Sequence, residues 1–512
     1  MLMQPLQDRL SRSQEAKSKS VPPPVGGWNA RDALDQMKEH DAVLMDNWFP
    51  RQNDVIMRRG YAPFCEMSAT ANAVETLAEY HAGETRKFIA CGSGSIDEVS
   101  SGTASNLGSG FSENSWQTTQ FGGRLFLVNG TDDPQDYDGS SLSSTSWSGS
   151  GLTIAKLINV VAFKSRLYFV EKDSQKFWYG GVQSVTGTLT AFDLKYVGNF
   201  GGNLIAIGVI SRDGGDGVDD LLACFMSSGE VVVYSGSDPG SDFSLVGVYA
   251  IGAPIGYRCT IKFGSDLVVI TKDGYVPLTS VLPFGRSLKT ERTILSDKIS
   301  GAVIQAIETY GSNDGWEPIL YPAGNMLIFN VPRTTTAYDQ HVMNTRTRSW
   351  CRFRNIPARC WSLFNDNLYF GGPDGVVYRA DTGKTDDGAA ITCIGQQAWN
   401  YFGDRSHNKI FTMVRPVLEA DNTPSAFLSL GTDFKDNTSV QSIVSGSEVN
   451  AAVWDEAIWD QAVWAGGNVV TQNWSSVSGI GYCASLRCKV AESNARVSWK
   501  SSIYAWKQGG II

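Results

Sequence analysis

The stretch Asn367-Leu368-Tyr369-Phe370-Gly371-Gly372-Pro373-Asp374-Gly375-Val376-Val377-Tyr378 sets the fold class. It reads as an apolar run, a Pro-Asp-Gly turn and a second apolar run. Asp-Gly between apolar runs marks a tight hairpin, because Gly takes a positive φ without steric cost. The opening run recurs upstream as Lys87-Phe88-Ile89-Ala90-Cys91-Gly92, Arg124-Leu125-Phe126-Leu127-Val128-Asn129-Gly130 and Arg166-Leu167-Tyr168-Phe169-Val170. Further copies are Leu221-Leu222-Ala223-Cys224-Phe225-Met226, Asp266-Leu267-Val268-Val269-Ile270 and Met326-Leu327-Ile328-Phe329. Two of them add the second half of a hairpin: Ser228-Gly229-Glu230 leads into Val231-Val232-Val233-Tyr234, and Lys272-Asp273-Gly274 into Tyr275-Val276.

With Phe88, Leu125, Leu167, Leu222, Leu267, Leu327 and Leu368 as markers, the steps are 37, 42, 55, 45, 60 and 41 residues. Four of the six lie near the ~40–50 residues of a four-stranded propeller blade, and the steps of 55 and 60 call for insertions. One such sheet cannot bury both faces, whereas a closed array of them can. The expected fold is all-β: a β-propeller of about six to eight irregular blades, with an N-terminal arm and a C-terminal β-sandwich-like domain. An irregular β-sandwich with coincidental spacing is the competing architecture.

Outward from the cassette, the chain divides into residues 1–45, 46–400 and 401–512. Residues 1–27 are polar, with Arg9, Arg12, Lys17 and Lys19 before Pro22-Pro23-Pro24, so they are expected to form an extended arm that buries little. A short helix is expected from Asn29 as cap through Lys38, with Ala33, Leu34 and Met37 on one face. Beyond Asn400 the cassette stops, and Ala426–Leu430, Ala484–Val490 and Arg496–Trp499 read as strands of a separate domain. Between them Trp454, Trp459 and Trp464 recur every five residues in a W-D-x-A-x unit written twice. That period fits neither a strand face nor a helix face. These tryptophans read as aromatic anchors in small looped turns, or as a ligand-facing ladder.

The 512 residues hold 43 Lys and Arg against 52 Asp and Glu, a net charge of -9. A phosphate-gripping protein shows a basic surface, and this balance fits a soluble surface or a channel wall on which DNA does not stick. The cysteines are nine (Cys65, Cys91, Cys224, Cys259, Cys351, Cys360, Cys393, Cys483 and Cys488) and have no CxxC spacing. They read as small buried hydrophobes of a chain made in a reducing compartment, with no disulfide framework and no structural zinc. No apolar run approaches the ~20 residues of a membrane span, and the N-terminus lacks a signal-peptide core, so synthesis in the cytoplasm is expected.

No pattern of catalysis emerges. His40, His81, His341 and His407 sit in no metal spacing or nucleophile elbow, and each reads as a surface histidine. Gly92-Ser93-Gly94 and Gly108-Ser109-Gly110 lack the Lys and the helix of a phosphate loop. Asp132, Asp133, Asp136 and Asp138 offer oxygens for calcium, yet without a full ligand loop a solvated hairpin is the simpler reading. No acid and base pair stands out, so neither an enzyme nor a cofactor or metal is expected. Basic residues cluster once, as Arg346, Arg348, Arg352, Arg354 and Arg359 around Trp350 and Trp361. Such a cluster suits a channel-facing ring about an axis, or a subunit interface with Arg–carboxylate pairs.

Val25-Gly26-Gly27-Trp28-Asn29-Ala30-Arg31-Asp32, Asp46-Asn47-Trp48-Phe49-Pro50 and Arg58-Arg59-Gly60-Tyr61 resemble the opening of virion proteins of short-tailed bacteriophages. Leu127-Val128-Asn129-Gly130 leading to Tyr137-Asp138-Gly139 is similar to their early hairpin, and the W-D-x-A-x-W segment and Gly509-Gly510 share the family's character. The family is that of the podovirus tail nozzle, the tubular B-type and the packaged-DNA stabilisation proteins. The resemblance implies a propeller subunit in a ring, a hexamer, below the portal and adaptor of the virion. That ring forms and gates the distal DNA channel and meets the adaptor and the tail fibres or spikes. Packaged DNA passes through it without sequence-specific binding, and the chain is made in the bacterial cytoplasm. The family carries no catalytic residues. A carbohydrate- or receptor-binding propeller at the tail tip is the rival reading, with the 454–464 tryptophans stacking on sugars.

Overall fold

The computed structural model describes residues 16–69, 72–213, 218–282, 294–422, 424–437, 441–443 and 469–510. It divides the chain into two compact units. One comprises Met1–Arg59, Thr347–Arg352 and Lys384–Ile512, and the other Gly60–Arg346 and Phe353–Gly383. The sequence division at 45/46 and 400/401 follows one contiguous line, whereas the first unit gathers both ends of the chain.

The second unit is a propeller, and its strand order carries that conclusion. Among the described residues it holds seven consecutive antiparallel sheets. Blade 1 spans Val74–Ala82 to Ser105–Ser109, blade 2 Gln117–Phe121 to Leu142–Ser144, blade 3 Leu157–Phe163 to Thr190–Asp193, and blade 4 Leu204–Asp213 to Ser244–Ala250. Blade 5 keeps three strands, Thr260–Phe263, Asp266–Thr271 and Gly274–Pro277, and blade 6 contains Glu317–Tyr321, Met326–Pro332 and Tyr338–Asn344. Blade 7 takes Cys360–Phe364, Asn367–Gly371 and Val376–Thr382 from the end of the unit and Gly60–Glu66 from its start. The first strand of each blade touches the first strand of the next, and that of blade 7 returns to that of blade 1. Pairing of Gly60–Glu66 with Val376–Thr382 thus fastens a ring whose edges would otherwise stay open.

All seven marker residues fall on the second strand of their blades, the strand covered on both faces. Phe88 and Ala90 pack toward blade 7 with Cys360, Phe364 and Tyr369, while Ile89 and Cys91 pack toward blade 2 with Leu125 and Leu127. In turn Phe126 and Val128 face Leu167 and Phe169 of blade 3, whose Tyr168 and Val170 face Leu222 and Cys224 of blade 4. A strand buried on both sides has no polar face, and so reads as a continuous apolar run. Blades 7 and 1 meet closely: a Cβ at Gly371 would lie 2.5 Å from the Val74 carbonyl.

The long steps have structural causes. The step of 60 contains Ser300–Tyr310, the one α-helix among the described residues. The step of 55 contains the extra strand Gly187–Thr188 and the long hairpin Leu204–Asp213 to Val218–Met226.

The first unit is a sandwich of two sheets. In one, Val497–Gln508 lies between Lys409–Ala420 and the N-terminal strands Lys17–Val21 and Val55–Met57. In the other, Asp41–Asp46, Ala389–Gln397, Ala484–Glu492 and Ala426–Thr432 pair in that order. Trp48 and Trp499, both fully buried, fill the space between the sheets with ring centroids 6.0 Å apart, against Gly395. The Tyr504 hydroxyl donates to Gln397 Oε1 at 2.7 Å and accepts from the Leu486 N–H at 3.2 Å.

Three expectations are corrected here. Of residues 1–27, expected as an arm that buries little, 1–15 lie outside the described residues; of the rest, Lys17–Val21 pairs along Trp506–Ser502, and Val21, Pro23 and Pro24 are buried. No helix follows Asn29. Its Oδ1 accepts the N–H groups of Arg31 and Asp32, while its Nδ2 donates to Asp32 and to Asp41 at 2.9 Å, and these bonds hold the segment in turns. His341 is 3% exposed, with Nδ1 2.8 Å from the Tyr275 hydroxyl between blades 5 and 6. The cysteines are all buried and unbridged, as their spacing suggested.

Candidate functional site

The chemistry-bearing residues of the propeller converge where its first strands begin. Glu75 is the second residue of Val74–Ala82, and Gln117 and Glu317 open their strands. Arg258 and Arg359 stand just before Thr260–Phe263 and Cys360–Phe364. These residues, with Tyr257 and 311–316, line a cavity of about 250 Å³. A second cavity of about 210 Å³ is lined by Ile158, Asp173, 203–205, Ser227, Gly256 and Tyr257. The first draws on blades 1, 2, 5, 6 and 7 and the second on blades 3 and 4. The two therefore share the axial end of the ring, and Tyr257 borders both.

Two half-buried ion pairs organise the larger cavity. Arg359 Nη2 donates to Glu75 Oε1 at 2.9 Å and its Nη1 lies 3.3 Å from the Tyr338 hydroxyl. Arg258 Nη1 reaches Glu317 Oε2 at 3.4 Å and the Glu75 carbonyl at 3.0 Å. Its Nη2 donates to Thr76 Oγ1 at 2.5 Å and to the Trp116 carbonyl at 2.8 Å. One guanidinium thus ties blades 1, 2, 5 and 6 together. Burial pushes the Glu75 carboxyl above its usual range against the opposing pull of Arg359, and Glu113 adds to the rise. Burial likewise raises Glu317, opposed by Arg258 and by the Trp361 N–H. The Arg359 guanidinium ends above its ordinary value: burial lowers it, and the Tyr338 hydroxyl and Glu75 outweigh that effect.

The five arginines of the sequence cluster divide between the two units. Arg352 pairs bidentately with Asp46 at 2.7 and 3.0 Å and lies over the Trp28 ring, all within the sandwich. Arg348, exposed and with a φ of 59°, also belongs to the sandwich. In the propeller, Arg354 stands 3.4 Å from Asp339, Arg346 is exposed, and Arg359 alone reaches the axial cavity. Trp454, Trp459 and Trp464 lie outside the described residues.

Protein donors occupy three of the four aspartates of the Asn129–Gly139 turn. Asp132 accepts the N–H groups of Ser112 and Glu113 and the Asn129 amide, Asp136 pairs with Arg124, and Asp138 accepts the Ser140 and Ser141 N–H groups. They sit on a hairpin as expected, with Asp136 buried and not solvated. Among the described residues no helix is long and apolar enough to cross a membrane.

No family model and no curated protein matches the chain. Solved structures do align with it. BBS1N in complex with ARL6DN aligns at 9% identity and a TM-score of 0.40, over 65% of this chain and 99% of that one. YCF48 bound to D1 peptide aligns at 10% and 0.39, over 64% and 97%. An exo-beta-1,3-galactanase from Phanerochaete chrysosporium with galactose aligns at 10% and 0.30, over 76% and 95%. At such identities nothing of their partners or chemistry transfers, and the propeller rests on the strand order itself.

The axial residues are missed by sequence reading because Glu75, Arg258, Glu317 and Arg359 are far apart in the chain. No local motif links them. The one available signal is positional: each lies at or within two residues of the start of the first strand of a blade, where a propeller gathers side chains about its axis.

Proposed function

We propose that the chain is a structural virion protein of a short-tailed phage, a ring-forming tail nozzle subunit that works by assembly and gating and not by catalysis. The observation that carries this reading is the place of the residues that resemble the nozzle family. Gly27 has a φ of 80°, and a Cβ there would lie 2.5 Å from the Trp350 carbonyl. Trp28 and Trp48 are core residues, Asn47 has a φ of 59°, and Arg58 is bound to Asp386 inside the sandwich. The resembling stretches at 25–32, 46–50 and 58–59 are thus framework of the sandwich, which favours kinship in architecture.

Other features suit the same reading. The axial carboxylates Glu75 and Glu317 each stand against a guanidinium, an arrangement that ties blades together. On the sandwich, Ile410 and Ile480 face each other across paired strands at 39% and 62% exposure, a surface suited to contact between copies. The partners in this reading are further copies in a hexameric ring, the tail adaptor, the fibres or spikes, and DNA in transit. The sugar-binding alternative rests on tryptophans outside the described residues and gains no support here. Quantitative mass spectrometry of purified short-tailed virions that encode the chain is expected to find it in intact tails, in multiple copies. Its absence from such particles would overturn the proposal.

A further inference from the structure

The axial end of the propeller presents an exposed aromatic ring between two cavities, each with a carboxylate at its wall. Tyr257 is 48% exposed and borders both. Asp314 lines the larger cavity and Asp173 the smaller, and both side chains are exposed. Both carboxylates are near enough to Tyr257 to add to the rise that burial imposes on its phenol.

The charges around this face do not balance. The larger cavity has three carboxylates, Glu75, Asp314 and Glu317, against the guanidiniums of Arg258 and Arg359. Glu75 and Glu317 are already engaged by those arginines. Asp314, which Arg359 also feels, therefore leaves the larger cavity one carboxylate in excess, and Asp173 is the one charged group among the described residues lining the smaller cavity. Excess carboxylate on either side of an aromatic face suits an organic cation, since ammonium groups gain from carboxylates and from the ring quadrupole. Methylene stems between two such groups would cover the ring.

We propose that this face binds a linear aliphatic polyamine, with one ammonium group at Asp314, another at Asp173 and the chain across Tyr257. The remaining polar atoms of the larger cavity, from Ser115, Gln117 and Ser312, offer oxygens to further N–H donors. Arg258 and Arg359 stay with their glutamates, so the site is selective for ligands that approach from the Asp314 side. The inference goes beyond a structural role in a ring and holds whether or not that role is correct.

The test is isothermal titration calorimetry of the full chain with spermidine, at low and at physiological ionic strength. Saturable binding is expected, weakening as salt rises. Asp173→Asn and Asp314→Asn are each expected to weaken it about tenfold, as loss of a close charge partner does. Tyr257→Ala is expected to weaken it further without changing the melting temperature, because the ring is half exposed. Butylamine, with one charge, is expected to bind at least about tenfold more weakly. Hexaamminecobalt(III) carries the same charge as spermidine without a chain. Equal binding of the two cations, or spermidine binding unaffected by the Asp173→Asn/Asp314→Asn double variant, would overturn the proposal and point to diffuse attraction by an acidic protein.

Discussion

Removing the carboxylate of Asp386 should destabilise the sandwich far more than an ordinary polar substitution. Arg58 and Asp386 have side chains 1% and 8% exposed. The guanidinium donates to the two carboxylate oxygens at 2.7 and 2.6 Å, to Asn47 Oδ1 at 2.9 Å and to the Arg59 carbonyl at 2.9 Å. Asp386→Asn leaves a buried guanidinium without its counter-charge, which costs about 3–5 kcal/mol in comparable pairs. Because Asn47 and the Arg59 carbonyl still accept from it, the lower end, about 3 kcal/mol, applies. For a unit of this size that is a fall of roughly 6–12 °C in melting temperature. Arg58→Met should cost a similar amount, since it strands the carboxylate. The double variant Arg58→Met/Asp386→Leu should recover most of the loss, because neither charge is then buried. Differential scanning calorimetry of the wild type, Arg58→Met, Asp386→Leu and the double variant gives the coupling energy, with the propeller transition as an internal reference. Single variants within about 1 kcal/mol of wild type, or additive losses in the double variant, would refute the buried pair as described.

Three further outcomes follow. Burial alone would raise the Asp54 carboxyl, but bonds from Arg51, Lys500 and Ser498 outweigh it and hold the group at about 2, against an ordinary 3.8. A folded value below the unfolded one gives stability that is complete above the unfolded value and lost as pH falls through the folded one, here about 2 kcal/mol. Acid denaturation curves of Asp54→Asn should be correspondingly flatter between pH 5 and pH 2, and an unchanged slope would count against the cluster. Phe88 is fully buried, stacked on Phe364 at 4.9 Å, so Phe88→Ala should cost the propeller about 3–5 kcal/mol in urea titrations, and a loss under about 1 kcal/mol would contradict the packing between blades 1 and 7. All nine thiols are buried, and burial pushes Cys259 and Cys488 up to about 12. A disulfide reagent at pH 8 should therefore react with the native chain only after unfolding, and prompt labelling would be inconsistent with that burial.

The propeller is legible in the sequence because a strand buried on both faces writes itself as an unbroken apolar run, and seven such runs mark seven second strands. The outer and first strands are less visible. Ser105–Ser109 and Gln117–Phe121 carry mixed polar residues because each is only partly covered. The Ser300–Tyr310 helix has Val303, Ala306 and Ile307 at helical spacing, yet no side chain caps its N-terminus, so a capping search passes over it. The segment after Asn29 shows the opposite error: a cap residue is present, but its side chain bonds to turn amides and Asp41. The sandwich is the hardest element to foresee. Its strands 17–57 and 389–508 lie at opposite ends of the sequence, and only the pairing of Val497–Gln508 with Lys17–Val21 and Val55–Met57 reveals that they share a sheet. The axial cavity depends on a different long-range pairing, that of Gly60–Glu66 with Val376–Thr382, which closes the ring and brings Glu75 to Arg359 across the join between blades 1 and 7.

The measurement that bears most directly on the proposed role is electron microscopy of the purified full-length chain, supported by native mass determination. A nozzle subunit is expected to appear as closed rings of copies around a central hole, with heterologous contacts that complete the rotation. A chain that remains a monomer at the highest attainable concentration, and stays so when mixed with purified virion tails, would contradict the account.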